Sequence, residues 1–237
     1  MSVFRLAVLA SGTGTNLQAI IDRLHGRPAA TGGGLAGVGP GEAGGTGTGA
    51  ANTGPVIQVA LVVSDVPEAL ALERARRAGI PTAVFPFSDY RDREEHDLAM
   101  AQAIRAAGAD LVVLAGYMRL LCAAFIRAFP WRIINLHPAL LPAFPGTTSI
   151  ADALEYGVKV TGVTVHFVDE GLDTGPIIAQ EPVRVQEGET VESLAARIHA
   201  VEHELLPATI RLIAQGKVHP PLPGKRVVRV DWEGARG

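Results

Sequence analysis

The sequence predicts a doubly wound α/β domain on a mostly parallel sheet, with helices on both faces. Two observations carry that prediction. The apolar stretches "FRLAVLA" (4–10), "IQVALVVS" (57–64) and "ADLVVLAG" (109–116) are near-continuous runs of Val, Leu, Ile and Ala. Strands that read this way, rather than alternating apolar with polar, suit a sheet covered on both sides. Between them stand stretches with helical spacing, and strand–helix alternation builds right-handed crossovers onto a parallel sheet.

Taken in order, the first run leads through "SGTGT" into "NLQAIIDRL" (16–24), where Leu17, Ile20, Ile21 and Leu24 share one helical face. "PEALALERARRAG" (67–79) and "REEHDLAMAQAIRAAG" (93–108) are helical patterns that each close on glycine, a common stop signal. "RIIN" (132–135) and "TGVTVHFV" (161–168) read as further strands. "TVESLAARIHAVEHELLPATIRLIAQG" (190–216) reads as a long helix capped by Thr190, with a kink or break expected at Pro207. One domain thus accounts for residues 1–237. Residues 26–55 hold 12 glycines and only Arg27 and Glu42 as charges, so that segment is expected to be a flexible surface insertion. The tail, 217–237, is expected to form at most a short final strand pair.

Composition narrows the function. A net charge of −3 and a pI near 6.2 argue against a nucleic-acid partner, which normally meets a basic face. A single cysteine, Cys122, excludes an internal disulfide and a cysteine-based zinc cluster and fits a reducing cytoplasm. The N-terminal apolar run is too short for a signal peptide, and no stretch approaches the roughly 20 apolar residues of a membrane span.

The turn "LASGTGTNLQAII" joins the first strand to the first helix, where α/β folds bind phosphate. Gly12 and Gly14 allow close backbone approach, and Thr15 and Asn16 add hydroxyl and amide donors. A dinucleotide fingerprint nearly fits, with Asp65 placed as a ribose-binding acid. Its third small position is Leu17, however, which obstructs the helix–strand packing that fingerprint needs. One phosphate suits the loop better than a pyrophosphate.

In "RIINLHPALLPAFPG" (132–146), Asn135 and His137 are two residues apart at a strand end and can share a face. Pro138, Pro142 and Pro145 stiffen the following loop, so a placed amide and imidazole stay placed. "HFVDEGLDTGPI" then supplies His166, Asp169, Glu170 and Asp173. Amide, imidazole and carboxylate together suit acyl transfer to an amine: two donors for an oxyanion, and a carboxylate that orients the His or accepts a proton through water. A metal set of His137, His166 and Asp173 is conceivable, but no H-x-x-x-H or H-E-x-x-H spacing supports it. No G-x-S-x-G stretch supports a serine hydrolase.

Five blocks, "VLASGTGTNLQAIID", "LVVLAGYMRLL", "IINLHPALLPAFPG", "GVTVHFVDEGLDTGPIIAQ" and "VEHELLP", together resemble the phosphoribosylglycinamide formyltransferase family of purine synthesis. They stand in the family's order and cover the chain apart from 26–55 and the tail. The resemblance implies a Rossmann-like formyltransferase fold and transfer of a formyl group from 10-formyltetrahydrofolate to the amine of glycinamide ribonucleotide. It implies Asn135, His137 and Asp173 as catalytic residues, and Gly14, Thr15 and Asn16 as the phosphate loop. Glu202 matches the acid on the ribose hydroxyls, with His199 near the phosphate where some members carry Lys. Met118, Arg119, Leu120 and Leu121 match one wall of the folate pocket, and Val168, Asp169 and Glu170 the other. Leu141–Pro142 is implied as a cis bond. No metal is implied, no nucleic acid and no membrane; the protein is expected in the cytoplasm as a monomer or homodimer.

Two departures stand out. Thr148 occupies a position where some members carry His, and the 26–55 insertion has no counterpart in the family pattern. The nearest rivals share the folate chemistry. A methionyl-tRNA formyltransferase would need a basic C-terminal domain, and a formyltetrahydrofolate hydrolase an extra N-terminal one. A nucleotide-binding oxidoreductase remains open through the glycine-rich turn.

Overall fold

The computed structural model describes residues 2–29 and 54–231; residues 30–53 and 232–237, and the expectations that fall on them, lie outside that set. Along the chain the elements are β1 (Val3–Leu9), α1 (Thr15–Leu24), β2 (Arg27–Pro28), β3 (Val56–Ser64), α2 (Leu70–Arg77) and β4 (Thr82–Val84). After a short 3₁₀ turn (Phe87–Asp89) come α3 (Arg93–Ala106), β5 (Leu111–Leu114), α4 (Ala123–Ala128), β6 (Ile133–His137) and α5 (Ser149–Tyr156). The chain continues with β7 (Val160–Phe167), β8 (Ile177–Arg184), α6 (Val191–Ala214), β9 (Val218–His219) and β10 (Arg229–Val230).

The central sheet runs β2-β3-β1-β5-β6-β7-β8, with β4 also on β3. β4, β3, β1, β5 and β6 are mutually parallel. Alternate residues of β1 explain why its whole run is apolar. Leu6 and Val8 join Ile20 of α1, Leu72 of α2 and Ile198 and Leu205 of α6 in one core, while Ala7 and Leu9 join Met100 and Ile104 of α3 and Phe125 of α4 in the other. Each fully buried Leu or Ile of these layers contributes about 1.5–3 kcal/mol. Because β3 and β5 lie on opposite sides of β1, the loop after β1 opens at the switch point, where doubly wound sheets form their crevice.

Two expectations need correcting, and a third is narrowed. β7 pairs antiparallel with both β6 and β8, so the last third of the sheet is a meander, and its apolar character comes from burial rather than a parallel setting. Pro207 lies within α6, which runs on past it from a reciprocal cap between Thr190 and Ser193, so of the expected kink or break the break does not occur. The glycine-rich segment does not begin as an excursion. Arg27–Pro28 pairs antiparallel with Val56–Ile57 of β3, and Gly26 and Ala29 donate to the carbonyls of Ile57 and Pro55. The tail does pair, Arg229–Val230 lying antiparallel to Val218–His219.

Candidate active site

β6 delivers its two polar side chains by strand geometry. Asn135 lies opposite His166 of β7 and His137 opposite Thr164, so period-two alternation gathers four functional groups on one face. The loop beyond His137 is held by more than its prolines. Thr164 Oγ1 accepts from Leu141 N (3.1 Å) and donates to the Ala139 carbonyl (2.6 Å), and Gln180 Nε2 donates to the Leu141 carbonyl (2.9 Å). The Leu141–Pro142 bond is cis, as the resemblance implied.

This loop turns the carbonyl of Phe144 onto His137, 2.8 Å from Nε2. A carbonyl only accepts, so Nε2 carries a hydrogen and Nδ1 is the nitrogen left for chemistry. Nδ1 lies 3.4 Å from Asp173 Oδ2, and that same oxygen accepts from Gly146 N at 2.8 Å. Asp173 Oδ1 accepts from Asn135 Nδ2 at 3.2 Å. Burial works against ionisation of Asp173. Hydrogen bonding toward His166 and Gly146 N and positive charge at His137 and His166 outweigh it, holding the carboxyl below the usual carboxylate range.

His166 completes the cluster. Its Nδ1 is 2.8 Å from the Phe167 carbonyl and so carries a hydrogen; in the neutral ring Nε2 then accepts from Asn135 Nδ2 at 3.2 Å, and in the protonated ring Nε2–H faces Asp173 Oδ1 at 3.7 Å instead. With His166 neutral, both amide hydrogens of Asn135 are directed, one to His166 and one to Asp173. From the sequence His166 stands out only as a strand residue beside the acidic loop and as a member of a conceivable metal set. Nothing in the sequence marks it further; the antiparallel pairing that sets it opposite Asn135 does. Among the described residues no group of three or more His, Cys, Asp and Glu side chains is arranged to hold a metal ion.

The cluster forms the polar end of a cleft of about 370 Å³, a size typical of small-molecule pockets. Met118, Arg119, Leu120 and Leu121 line one side, and Val168, Asp169 and Glu170 the other. Met118 and Leu120 leave apolar side chains exposed along that side. The acids of the second wall are partly committed. Asp169 Oδ1 accepts from Thr174 Oγ1 (2.6 Å) and shapes the loop, and Glu170 pairs with Arg127 at 3.3 Å. The Arg119 guanidinium lies over the Phe87 ring, 3.7 Å from its centroid. Thr148 donates to Asp152 at 2.8 Å, at the start of α5.

A second polar locus forms between the β1–α1 turn and α6. Gly14 has φ +71°, and a Cβ there would fall 2.7 Å from Ala71 Cα, so glycine is required. Thr15 and Asn16 open α1. Glu202 is buried, and its Oε2 accepts from Asn16 Nδ2 (2.9 Å) and pairs with His199 Nδ1 (2.8 Å). That hydrogen bond to Glu202 raises the pKa of half-exposed His199, against opposition from burial. Asp65, which a dinucleotide reading would place on a ribose, instead accepts from Ser11 Oγ at 2.6 Å. Ser11 Oγ also accepts from Met118 N (3.2 Å), and Ser11 N donates to the Gly116 carbonyl, tying the glycine-rich turn to the 116–121 wall.

With that geometry in place, comparison with known proteins gives one answer. Residues 39–210 match the family model described as Formyl transferase. Phosphoribosylglycinamide formyltransferase of Bacillus subtilis is 38% identical over 207 residues, which cover 87% of this chain and 93% of that protein. The enzyme of the same name from Mycobacterium tuberculosis is 42% identical over 89% of this chain and 85% of its own length. Trifunctional purine biosynthetic protein adenosine-3 of Drosophila melanogaster is 41% identical over 90% of this chain, but the chain spans only 14% of that longer protein. Among solved structures, glycinamide ribonucleotide transformylase 1 of Symbiobacterium toebii superposes with a TM-score of 0.80 at 44% identity, covering 96% of this chain and 94% of the other. The chain belongs to the formyl transferase family, among the phosphoribosylglycinamide formyltransferases.

Proposed function

We propose that the protein transfers a formyl group from 10-formyltetrahydrofolate to the primary amine of glycinamide ribonucleotide, giving the formylated nucleotide and tetrahydrofolate. The observation that carries this reading is the convergence of Asn135, His137 and Asp173 on one end of the cleft, at the hydrogen-bonding and ion-pair distances given above.

The cleft suits a flat, polar-edged heterocycle. Leu114, Leu121, Leu136 and Val168 give it apolar walls, while the backbone of 116–121 and 168–173 offers edge-on hydrogen bonds. The bound folate supplies the formyl group. Met118 to Leu121 hold one face of it and Val168 to Glu170 the other. Gly14, Thr15 and Asn16 take the single phosphate of the nucleotide at the start of α1, Glu202 takes its ribose hydroxyls, and His199 adds charge beside the phosphate.

Within this arrangement the nucleotide amine attacks the formyl carbon directly. His137, already donating from Nε2 to Phe144, stabilises the developing oxyanion from Nδ1 in its doubly protonated form, with Asp173 holding that charge. Asn135 donates to the same oxygen by exchanging one of its two present partners. Asp173 takes the proton from the attacking amine and passes it toward the leaving nitrogen. Neither a metal nor a covalent enzyme intermediate enters these steps. The proposal includes action in the cytoplasm, as a monomer or homodimer, without nucleic-acid or membrane partners. Among the described residues no helix is long and apolar enough to cross a membrane.

The test is to incubate the protein with a 10-formyl-folate analogue, with and without glycinamide ribonucleotide, and follow the deformylated pterin. Release only with the nucleotide supports the transferase. Release without it, at the same rate, points to a hydrolase and contradicts the proposal.

A further inference from the structure

The glycine-rich turn is clasped from outside by α2, and the clasp decides which of its groups face a ligand. Arg74 Nε donates to the carbonyl of Thr13 at 2.8 Å, and its Nη1 donates to Gln18 Oε1 at 3.2 Å. One turn earlier, Ala71 N donates to the Gly12 carbonyl at 3.1 Å. Two successive carbonyls are thus drawn to the α2 side. In a planar trans peptide the following N–H points opposite to its carbonyl, so the N–H groups of Thr13 and Gly14 are turned away from α2. Neither makes a hydrogen bond among the described residues. Gly14 is pressed against Ala71 closely enough to exclude any side chain, which fixes the depth of the turn as well as its rotation.

Turning two amides outward leaves adjacent dipoles unopposed unless something holds the carbonyls back. Ala71 does this for Gly12 from its backbone, a bond any residue could make. For Thr13 the donor is a side chain, and a charged one. We propose that Arg74 is a positioning residue for phosphate recognition: by holding the Thr13 carbonyl it aims the Gly14 N–H into the anion site, without touching the substrate. This rests on the reading of Gly14, Thr15 and Asn16 as the phosphate loop. A bland surface arginine would have no such effect, and one acting by charge alone would need no hydrogen bond to Thr13.

Substitutions separate these possibilities. Arg74 is partly exposed on a short surface helix, so its variants keep the fold. In Arg74→Gln the Nε2 atom sits as many bonds from the backbone as arginine Nε, keeping the bond to Thr13 without the charge. Arg74→Met keeps neither. The readout is the calorimetric Kd ratio of unphosphorylated glycinamide riboside to glycinamide ribonucleotide, which isolates the phosphate. Arg74→Met should lower that ratio at least about tenfold, the loss of one charge-assisted hydrogen bond. Its KM for the formyl donor and its saturated kcat should stay near wild type, and Arg74→Gln should recover most of the ratio. An unchanged ratio in Arg74→Met, or a loss in Arg74→Gln equal to that in Arg74→Met, overturns the proposal. Thr15→Asp places a carboxylate where the phosphate would sit and checks the underlying reading separately. If it collapses the ratio while Arg74→Met does not, the loop stands and the role of Arg74 falls. If it leaves the ratio intact, the phosphate binds elsewhere and the proposal falls with the loop.

Discussion

His166 Nε2 and Asp173 Oδ1 flank the same amide nitrogen of Asn135, each within 3.2 Å of it. The amide is thereby oriented by two neighbours from different segments, one in β7 and one in the loop that follows. Only one orientation is compatible with both, because an amide oxygen facing the Asp173 carboxylate would set acceptor against acceptor.

Removing the amide should therefore cost turnover rather than affinity. Asn135→Ala is expected to lower kcat by about 10²–10³, the usual loss for one oxyanion donor. Steady-state kinetics check this, and an effect confined to KM would contradict the assignment.

The same geometry predicts a smaller, graded effect at His166. Replacing it by Phe removes the acceptor that orients the amide while roughly keeping ring volume. A lost hydrogen bond of about 1 kcal/mol corresponds to about a fivefold lower kcat, with both KM values unchanged. A wild-type kcat would show that Asp173 alone orients Asn135.

Sequence reasoning reached Asn135, His137 and Asp173 but treated His166 as a stray. A lone strand histidine carries no periodic signal, and its importance appears only when antiparallel pairing sets it opposite Asn135. The parallel half of the fold was legible because buried parallel strands and capped helices each mark a short segment. β8 was missed because "IIAQEPVR" contains Glu and Pro, tolerable near a sheet edge but discouraging in a window. α4 and α5 were missed because six and eight residues are too few to establish a period. Glu202 and His199 were found through the resemblance; their meeting with Asn16, 186 residues away from Glu202 in sequence, is purely tertiary.

His199 supplies a pH dependence. Its pKa is raised by Glu202, so its positive charge is complete below the unperturbed value of about 6.5 and is lost as pH rises through the raised one. KM for glycinamide ribonucleotide should accordingly climb across that interval. The His199→Lys variant should flatten the climb and His199→Ala should start from the high-pH value. Any stabilisation of the fold by the His199–Glu202 pair follows the same sign, present at lower pH and fading as the pH rises. A KM profile identical in all three proteins would remove His199 from the phosphate site.

Ser11 links the two loci, and its hydroxyl both donates to Asp65 and accepts from Met118 N. Ser11→Ala removes both bonds. The expected cost is about 0.5–1.5 kcal/mol in chemical denaturation, together with a higher KM for the formyl donor as the 116–121 wall loosens. Unaltered stability and an unaltered donor KM would mean that water replaces the hydroxyl at no cost.

The most direct trial of the proposed chemistry is Asp173→Asn, assayed for single-turnover formyl transfer alongside calorimetric binding of both substrates. The substitution keeps shape but removes the charge facing His137 and the group assigned to carry the proton. The account predicts a rate lower by about 10²–10⁴ with dissociation constants within a few-fold of wild type. Formyl transfer at the wild-type rate would contradict it.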